Sequence, residues 1–575
     1  MKATADASGK SPRRCAKTLS DSESRPSLSS FFRQFPSINS SGQLTPPPRD
    51  SINCSSSLSG LSFLKHLPLR LFGRFCGCLW SLLYATFQTL IIFLFAPNPE
   101  WITPQPSSDP RGRIAIVGAG ITGISSAAHF LAHGFEVVIF EQSETIGGIW
   151  ARVNSTSSLQ LHSFMYRFHP SVTFPNQFAV RKGVILSELQ KVWNNYRLSS
   201  RTHFNFTVTQ VTYRQASEDG PRKWIINGGA DGEFDGLVVA VGTCGPAQRI
   251  NFAGRELFEG VMIHSSQLDH VDWPGKRVVV IGGGASAVEA VELAVKSGCA
   301  TPALLVTRTD KWIVPRNVLL CALLSLKPVG RPWLLDYITE SAIRTFHYGA
   351  NLKWMSPAAY NGKPADRLYT RTPICNDEFL NLVRTNGAEY IRAKIDRISA
   401  HGVEIHRFGV EEPETLPADV IVEVRWSEAK RRGPRIVGRT DEACLLSQAT
   451  GYKQPNLAFL PTQQLFRGPK GPNQYAPPNL FLQHFVANNW SCLMTNAGYC
   501  EGIGTVGHIH IGISARMMMM FLLDNSTAPS AADMQGWVER VIKAKGSLSF
   551  FTWPWLPFVA FGWGGLRPVK STKTL

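Results

Sequence analysis

A chain of 575 residues with 44% hydrophobic residues is long enough to form two or three globular domains with sizeable cores. Its formal net charge of +17 is spread along the chain without a nucleic-acid-binding motif, which favours a solvated surface or attraction to anionic lipid over binding to nucleic acid. The eleven cysteines are scattered and form no CxxC pair beside a glycine-rich turn, which argues against a flavin disulfide reductase and against a disulfide-stapled secreted domain.

The N-terminal region contains a polar segment and then an apolar one. Residues 1–60 are rich in serine, proline and arginine, bury too little apolar surface to offset the entropy of ordering, and are predicted to be a disordered tail. Residues 75–96 carry no charge and are long enough, as a helix, to cross a hydrocarbon core. We expect a transmembrane or membrane-anchoring helix, with a buried helix as the alternative. Basic residues on both sides leave its orientation open.

The first glycine-rich turn follows an apolar strand and precedes a helix. Residues 114–123 read IAIVGAGITG, a dinucleotide-binding fingerprint whose small residues let the backbone approach a pyrophosphate. The next strand, residues 136–140, ends in Glu141, about 20 residues past the glycines, where a carboxylate accepts hydrogen bonds from ribose hydroxyls. An adenosine with a free 2′-hydroxyl, as in FAD or NAD, is favoured here. The candidate residues are Gly118, Ala119, Gly120, Gly123, Glu141 and Gln142.

A second fingerprint lies at residues 278–287, which read VVVIGGGASA. Its following strand, residues 303–307, ends in Arg308, and a cation at this place suits the 2′-phosphate of NADPH. Two dinucleotide sites in one chain indicate transfer of electrons from a nicotinamide to a flavin. The candidate residues for NADPH are Gly282, Gly284, Ser286, Ala287 and Arg308.

Between the two fingerprints, residues 258–268 (FEGVMIHSSQL) resemble the FxGxxxHxxx(Y/F/W) signature of class B flavoprotein monooxygenases. Further matches follow in the family's order, namely GGIW at 147–150, VVAVG at 238–242, RTDKWIVPR at 308–316, ATGY at 449–452 and PNLFL at 478–482. The resemblance covers residues 112–523. It is closer to flavin-containing (dimethylaniline-type) monooxygenases than to Baeyer–Villiger enzymes, because Leu268 stands where the latter have tryptophan.

The resemblance implies a mechanism with FAD and NADPH as cofactors. NADPH reduces FAD, O2 forms a C4a-hydroperoxyflavin, and one oxygen atom passes to nitrogen, sulfur or carbon of a small lipophilic substrate. It also implies that the FAD site includes Gly148, Trp150, Thr450 and Gly451. The alternatives are a Baeyer–Villiger monooxygenase acting on a ketone, a flavin oxidase or dehydrogenase, and an inactive nucleotide-binding protein.

Three side chains are candidates for a role in catalysis. The signature singles out His264, for which a positional role between domains is at least as expected as acid–base chemistry. Many flavin-containing monooxygenases place an asparagine near the flavin in the stretch that matches residues 156–166, where Gln160 or His162 takes its place here. His508 and His510 form only an HxH pair, so no metal site is predicted.

Residues 424–448 interrupt a match to the family. Removing these 25 residues joins Glu423 to Ala449 and restores DVIVEATGY. Valine codons begin with GT and one glutamine codon ends with AG, so the segment has the form of a retained intron, with a solvated basic loop as the alternative.

The predicted fold is α/β, with two Rossmann-like domains preceded by the membrane helix at 75–96. The FAD domain comprises residues 110–265 and 440–525, and the NADPH domain is inserted between them at 266–439. Residues 549–575 form an aromatic and basic tail that suits a membrane interface or packing against the domain. The expected location is the endoplasmic reticulum membrane, as a single-pass or monotopic protein in contact with lipid.

Overall fold

The structure is a computed structural model, and it describes residues 79, 81–97, 110–215, 222–247, 251–318, 320, 333–357, 368, 373–424, 452, 455–465, 475, 479–482, 484–495 and 509–545. The predicted tails at 1–60 and 549–575, and all of the predicted insertion except Val424, lie outside these residues. The chain divides into one compact unit up to Ala85 and another from Thr86 onward. The described residues of the first unit are helical.

The strands, in chain order, are β1 (Arg113–Val117), β2 (Glu136–Phe140), β3 (Thr202–His203), β4 (Val211–Gln215), β5 (Arg222–Ile226), β6 (Glu233–Phe234), β7 (Gly236–Val239), β8 (Val261–His264), β9 (Arg277–Ile281), β10 (Ala300–Thr307), β11 (Ile313–Val314), β12 (Ile374–Cys375), β13 (Ala388–Ser399), β14 (Gly402–Arg407), β15 (Glu414–Pro417), β16 (Val420–Glu423), β17 (Leu480–Phe481), β18 (Phe485–Val486) and β19 (Asn489–Met494).

The helices are α1 (81–95), α2 (Ile121–Ala132), α3 (Ile149–Arg152), α4 (Lys182–Asn195), α5 (Ala285–Lys296), α6 (Trp333–Ala342), α7 (Gly349–Leu352), α8 (Phe379–Arg384), α9 (Thr462–Leu465), α10 (Ile509–Leu523) and α11 (Ala531–Lys545). A π-helical turn, Ile343–Tyr348, connects α6 to α7.

Two seven-stranded sheets of similar design form the core of the described chain. The first has the order β17-β18-β19-β7-β1-β2-β3, and the second has the order β15-β14-β13-β10-β9-β16-β8. Each contains five parallel strands extended by an antiparallel pair. Buried runs such as those of β1 and β9 are typical of parallel strands covered on both faces. The predicted α/β fold with two sheets is confirmed.

The second sheet includes strands from two parts of the chain. β8 lies before the predicted start of the NADPH domain at residue 266, yet it pairs with β16 in register from Val261↔Val420 to His264↔Glu423. β16 in turn pairs with β9, the strand of the second fingerprint. The signature motif therefore contains the edge strand of the second sheet, and the chain passes from its end towards β9.

Helix α1 covers most of the predicted membrane segment. Gln88, on this helix, is 9% exposed, and its amide nitrogen donates to the Phe174 carbonyl at 3.1 Å while its amide oxygen accepts from the Phe174 N–H at 3.1 Å. The Arg167 guanidinium also donates to this amide oxygen, at 3.2 Å. Among the helices that the structure describes, none combines the length and the apolar character required to cross a membrane. The predicted transmembrane span is thus unsupported.

Candidate dinucleotide sites and the junction between them

The first glycine turn brings the backbone of β1 against the start of α2. Gly118 has a φ of +110°, and a Cβ atom there would lie 2.5 Å from the Ala240 carbonyl oxygen. A Cβ atom on Gly123 would lie 1.9 Å from the Gly118 carbonyl oxygen. Contacts this short exclude any side chain at either position, so glycine is required at both.

The N-terminus of α2 is arranged to receive an anion. Gly120 caps the helix without a side-chain hydrogen bond, and the first turn contains only neutral residues, so backbone N–H groups and the positive end of the helix dipole face outward. Gly148 passes close to this cap, because a Cβ atom on Gly148 would lie 3.2 Å from the Gly120 Cα. The two glycines leave a backbone-lined cradle at the helix end, which suits a pyrophosphate.

Glu141 lies at the end of β2, where the ribose of the same nucleotide is expected. Its buried carboxylate accepts hydrogen bonds from the Ala119 N–H at 2.6 Å and from the Ser143 N–H at 2.8 Å. A carboxylate has about four lone-pair positions, so acceptor sites remain for ribose hydroxyls. Gln142, the next residue, is exposed.

The segment after Gly148 provides an aromatic wall. The Trp150 indole N–H donates to the Tyr166 hydroxyl at 2.6 Å, and the two rings are perpendicular with centroids 5.8 Å apart. His162 is buried in the same segment, and its Nδ1 accepts from the Phe164 N–H at 3.3 Å. Burial lowers the pKa of His162 to about 4, so its imidazole is neutral at neutral pH. Gln160 is partly buried.

The second turn repeats this design with different residues. Gly282 has a φ of +129°, and its N–H donates to the Val306 carbonyl at 2.9 Å. Helix α5 begins after Gly284, and its first turn contains only neutral residues, among them the partly buried Ser286 and the fully buried Ala287. Arg308 directly follows β10 at the same edge of the sheet and is partly exposed.

His264, at the end of β8, is held on two sides at the junction of the two sheets. Its Nδ1 lies 2.9 Å from the Ser266 hydroxyl, and its ring is perpendicular to that of Tyr452 with centroids 5.3 Å apart. The side chain is buried. These contacts orient the ring, and the catalytic role of His264 stays a prediction. The predicted FAD ligands Thr450 and Gly451 lie outside the described residues.

A buried ion pair beside His264 was not predicted from the sequence. The Arg255 guanidinium donates through both terminal nitrogens to the Glu423 carboxylate, which is completely buried at the end of β16. A charged residue ending the otherwise apolar run VIVE was the available signal, because a buried carboxylate requires a partner. Nothing in the sequence identified Arg255 as that partner.

No metal site was predicted at His508 and His510. Of these two residues, the structure describes only His510. His510 is buried, and its ring stacks on His484 with centroids 4.8 Å apart and an interplanar angle of 2°. Within the described part of the chain, no group of three or more histidine, cysteine, aspartate or glutamate residues is placed to hold a metal ion.

Comparison with known proteins identifies relatives of two kinds. The family model for flavin-binding monooxygenase-like proteins matches residues 111–415. A Baeyer-Villiger monooxygenase from Pseudomonas aeruginosa is 31% identical over 222 residues, which is 37% of this chain and 40% of the relative. Flavin-containing monooxygenase 1 from Mus musculus is 27% identical over 348 residues, which is 54% of this chain and 61% of the relative. The chain thus spans less than two-thirds of the length of these relatives.

One solved structure shares the fold over most of the chain. The ε-caprolactone-bound cyclohexanone monooxygenase aligns with a TM-score of 0.52 at 17% sequence identity, covering 79% of this chain and 99% of that one. At this identity the likeness concerns the fold alone. Together with the family match, it confirms the resemblance to class B flavoprotein monooxygenases that the signature motif predicted.

Proposed function

Because the chain belongs to the flavin-binding monooxygenase-like family, we propose that it is an FAD- and NADPH-dependent monooxygenase that inserts one atom of O2 into a small lipophilic organic molecule. The observation that carries the proposal is the pair of glycine turns on two similar sheets, with the Glu141 carboxylate after β2 and the Arg308 guanidinium after β10. A carboxylate suits the free ribose of FAD, and a guanidinium suits the 2′-phosphate of NADPH.

The residues fit both cofactors. The neutral N-termini of α2 and α5 each present backbone N–H groups to a pyrophosphate, and Gly148 with Trp150 lies beside the first of them. When bound, NADPH and FAD supply hydride transfer and the activation of O2. The protein binds and orients them, and the bond between Trp150 and Tyr166 fixes one wall of the first site.

The oxygenated atom is a nitrogen, sulfur or carbon atom in the favoured form of this proposal. A Baeyer–Villiger reaction on a ketone is the second candidate, since a relative from Pseudomonas aeruginosa that is 31% identical is a Baeyer-Villiger monooxygenase. This candidate is second because Leu268 stands where Baeyer–Villiger enzymes have tryptophan. The Leu268 side chain is buried among apolar residues of the second domain.

Isotope labelling tests the proposal. The purified full-length protein is supplied with FAD, NADPH, catalase and ¹⁸O2, together with a panel of amines, sulfides and ketones. One ¹⁸O atom in an N-oxide or S-oxide supports the favoured form, and one in an ester supports the Baeyer–Villiger form. In a parallel reaction without catalase, consumption of NADPH with hydrogen peroxide as the sole oxygen product would identify an oxidase. A protein that binds both nucleotides without oxidising NADPH would be an inactive nucleotide-binding protein.

We also propose attachment to the endoplasmic reticulum membrane through α1, in monotopic rather than single-pass form. Within the second compact unit, the Gln88 contacts hold one side of the helical residues 86–95 to Phe174, which supports a helix lying along the membrane surface. Phe87, Leu90, Phe93 and Leu94 in this unit are 44–83% exposed, and such a surface suits insertion into one leaflet.

Flotation with anionic phospholipid vesicles tests the membrane proposal. The full-length protein is expected to float with the vesicles, and the double variant Phe93→Glu, Leu94→Glu is expected to stay at the bottom of the gradient. Equal flotation of both proteins, or of neither, would contradict attachment through α1.

We further propose that residues 424–448 derive from a retained intron. The described residues on the two sides of the segment support this, because both contact residues 264–265 at the end of β8. The Glu423 main-chain carbonyl accepts from the Ser265 N–H at 3.1 Å, and the Tyr452 ring packs on that of His264. A chain that runs directly from Glu423 to Ala449 and on to Tyr452 would therefore have only a short distance to cover. Sequencing the transcript should reveal a shorter form that encodes DVIVEATGY, and finding only the long form would refute the hypothesis.

A further inference from the structure

A short polar segment after α3 connects the first glycine turn region to the signature motif. Asn154 is 5% exposed, and its side-chain amide donates to the Ser265 carbonyl. Its amide oxygen accepts from the Leu268 N–H at 2.8 Å. One buried side chain thus bonds the backbone on both sides of a loop that starts one residue after His264.

Two neighbours of Asn154 reach the same domain. The Ser155 N–H and hydroxyl both donate to the Asp269 carboxylate, each at 2.7 Å. Ser158 hydrogen-bonds Glu289 on α5, the helix that begins at the second glycine turn. We call Asn154, Ser155 and Ser158 the interdomain clasp, since each bonds a residue of the second domain or of the loop leading into it.

The position of the clasp connects it to both nucleotide sites. Asn154 follows Trp150 by four residues, and Trp150 lies beside the cradle at the start of α2. Leu268, its partner, follows His264 by four residues and packs in the apolar core of the second domain with Val278 and Val280 of β9. A shift of the clasp would therefore change the distance between the two glycine turns.

Among the hydrogen bonds of the clasp, the two made by Asn154 are the hardest to replace. A buried carbonyl and a buried N–H are both satisfied by one amide group, so loss of this group leaves both without their partner. The bonds from Ser155 are solvent-exposed, and water can replace them at little cost.

We propose that Asn154 is a positioning residue that holds the second dinucleotide domain, through residues 265–268, in the orientation required for hydride transfer between the two cofactors. This inference rests on the proposed FAD and NADPH activity. Hydride transfer requires the donor and acceptor atoms within about 3–3.5 Å, so a small displacement of one domain reduces the rate strongly while leaving each nucleotide site intact.

Rapid-mixing kinetics of Asn154→Ala test the role in full-length protein loaded with FAD. Anaerobic reduction of the flavin by saturating NADPH is expected to slow at least tenfold, whereas the Kd for NADPH is expected to change less than threefold. Dithionite, which does not use the second domain, should reduce the flavin of the variant as fast as that of the wild type. The matched control is Thr156→Ala, at an exposed position in the same segment, which should behave as wild type.

Hydrogen exchange provides a readout that is independent of NADPH oxidation. The Leu268 amide is expected to exchange at least ten times faster in Asn154→Ala than in the wild type, while amides of β1 keep their protection. If Asn154→Ala does not fold, Asn154→Asp keeps the acceptor for Leu268 and loses the donor to Ser265, and it should slow reduction by a smaller factor. Asp269→Asn should slow reduction less than threefold.

The outcomes separate the two proposals. A wild-type flavin that NADPH does not reduce would contradict the proposed function, and the exchange of Leu268 would still decide whether Asn154 holds the loop. Unchanged reduction and unchanged exchange in Asn154→Ala would overturn the positioning role. A raised Kd for NADPH with an unchanged rate at saturation would also overturn it, because Asn154 would then support nucleotide binding alone.

Discussion

The two glycine turns follow the same path, but they differ in how closely the helix approaches the strand. At the first turn, Gly123 leaves only enough room for a hydrogen atom, since a Cβ there would lie 1.9 Å from the Gly118 oxygen. At the corresponding place in the second turn, Ala287 is accommodated and fully buried. In the second turn the tight position is instead Gly283, where a Cβ would lie 2.3 Å from the Thr307 hydroxyl oxygen. The closest approach that excludes a side chain therefore occurs at Gly123 in the first turn and at Gly283 in the second.

The largest effect on stability is expected from adding a methyl group at Gly123 in the first turn. Gly123→Ala should give protein without bound FAD and should lower the free energy of unfolding by about 3 kcal/mol or more, because the backbone must move to admit the methyl group. Ala287→Gly should retain FAD and cost about 1 kcal/mol, the loss of helix propensity. Flavin absorbance per protein and chemical denaturation measure both effects. Comparable losses in the two variants would contradict the difference between the turns.

Acid should destabilise the first domain through buried histidines on and near α2. Burial, followed by the charge of Arg516, lowers the pKa of His169 to about 3. The unfolded state therefore binds a proton below about pH 6.5 that the folded state does not, and stability falls by about 1.4 kcal/mol per pH unit as pH drops towards the folded pKa.

Replacing His169 should reduce this acid sensitivity. Denaturation of His169→Gln between pH 6 and pH 4 should show a slope shallower by about 1.4 kcal/mol per pH unit than that of the wild type. The control His401→Gln alters a side chain that is 76% exposed, and its slope should match the wild type. An unchanged slope for His169→Gln would show that the ring is not buried as described.

Substitution of Arg308 after β10 should affect the choice of nicotinamide cofactor, whereas substitution of Glu141 after β2 should affect FAD binding. Arg308→Ala is expected to reduce the preference for NADPH over NADH by about 10–100-fold in kcat/KM, since it removes a charge-assisted contact with the 2′-phosphate. Glu141→Gln is expected to weaken FAD binding and leave this preference unchanged. Steady-state kinetics with both nucleotides measure the ratio, and an Arg308→Ala enzyme with the wild-type preference would place the 2′-phosphate elsewhere.

The smallest effect is expected at α5, and it has the opposite pH dependence. Burial, followed by the charge of Glu292, raises the pKa of Glu289 to about 7. Its carboxylate form therefore destabilises the folded state, and this cost appears as pH rises from about 4.5 to 7. Glu289→Gln should stabilise the protein by about 1–2 kcal/mol at pH 8 and have little effect at pH 4.5. The exposed substitution Glu412→Gln is the control. A gain that is equal at both pH values would contradict the role of ionisation.

The local parts of both sites were predictable from the sequence. Strands β1 and β9, the turns after them and the placement of Glu141 and Arg308 all depend on residues that are neighbours in the chain, so hydrophobic runs and glycine spacing were sufficient. The segment 75–96 shows where such patterns fail. An uncharged stretch reads the same whether its surroundings are lipid or protein, and the buried contacts of Gln88 became visible only in the structure.

The contacts between the domains could not be predicted for a related reason. The partners of Asn154 lie 111 and 114 positions away, and Arg255, which pairs with the Glu423 carboxylate, lies 168 positions away. Single-sequence patterns report on side chains within one helix or strand, whereas these pairs join segments that lie far apart in the chain. A buried polar residue signals that a partner exists without saying which residue it is.

The most direct test of the central claim is stopped-flow absorbance of the FAD-loaded protein. The flavin is first reduced with NADPH under anaerobic conditions and is then mixed with oxygenated buffer. A monooxygenase should reduce fully with NADPH and then show a long-lived absorbing intermediate that decays faster when an amine or sulfide is added. Immediate return of oxidised flavin with one hydrogen peroxide per flavin would contradict the proposed function.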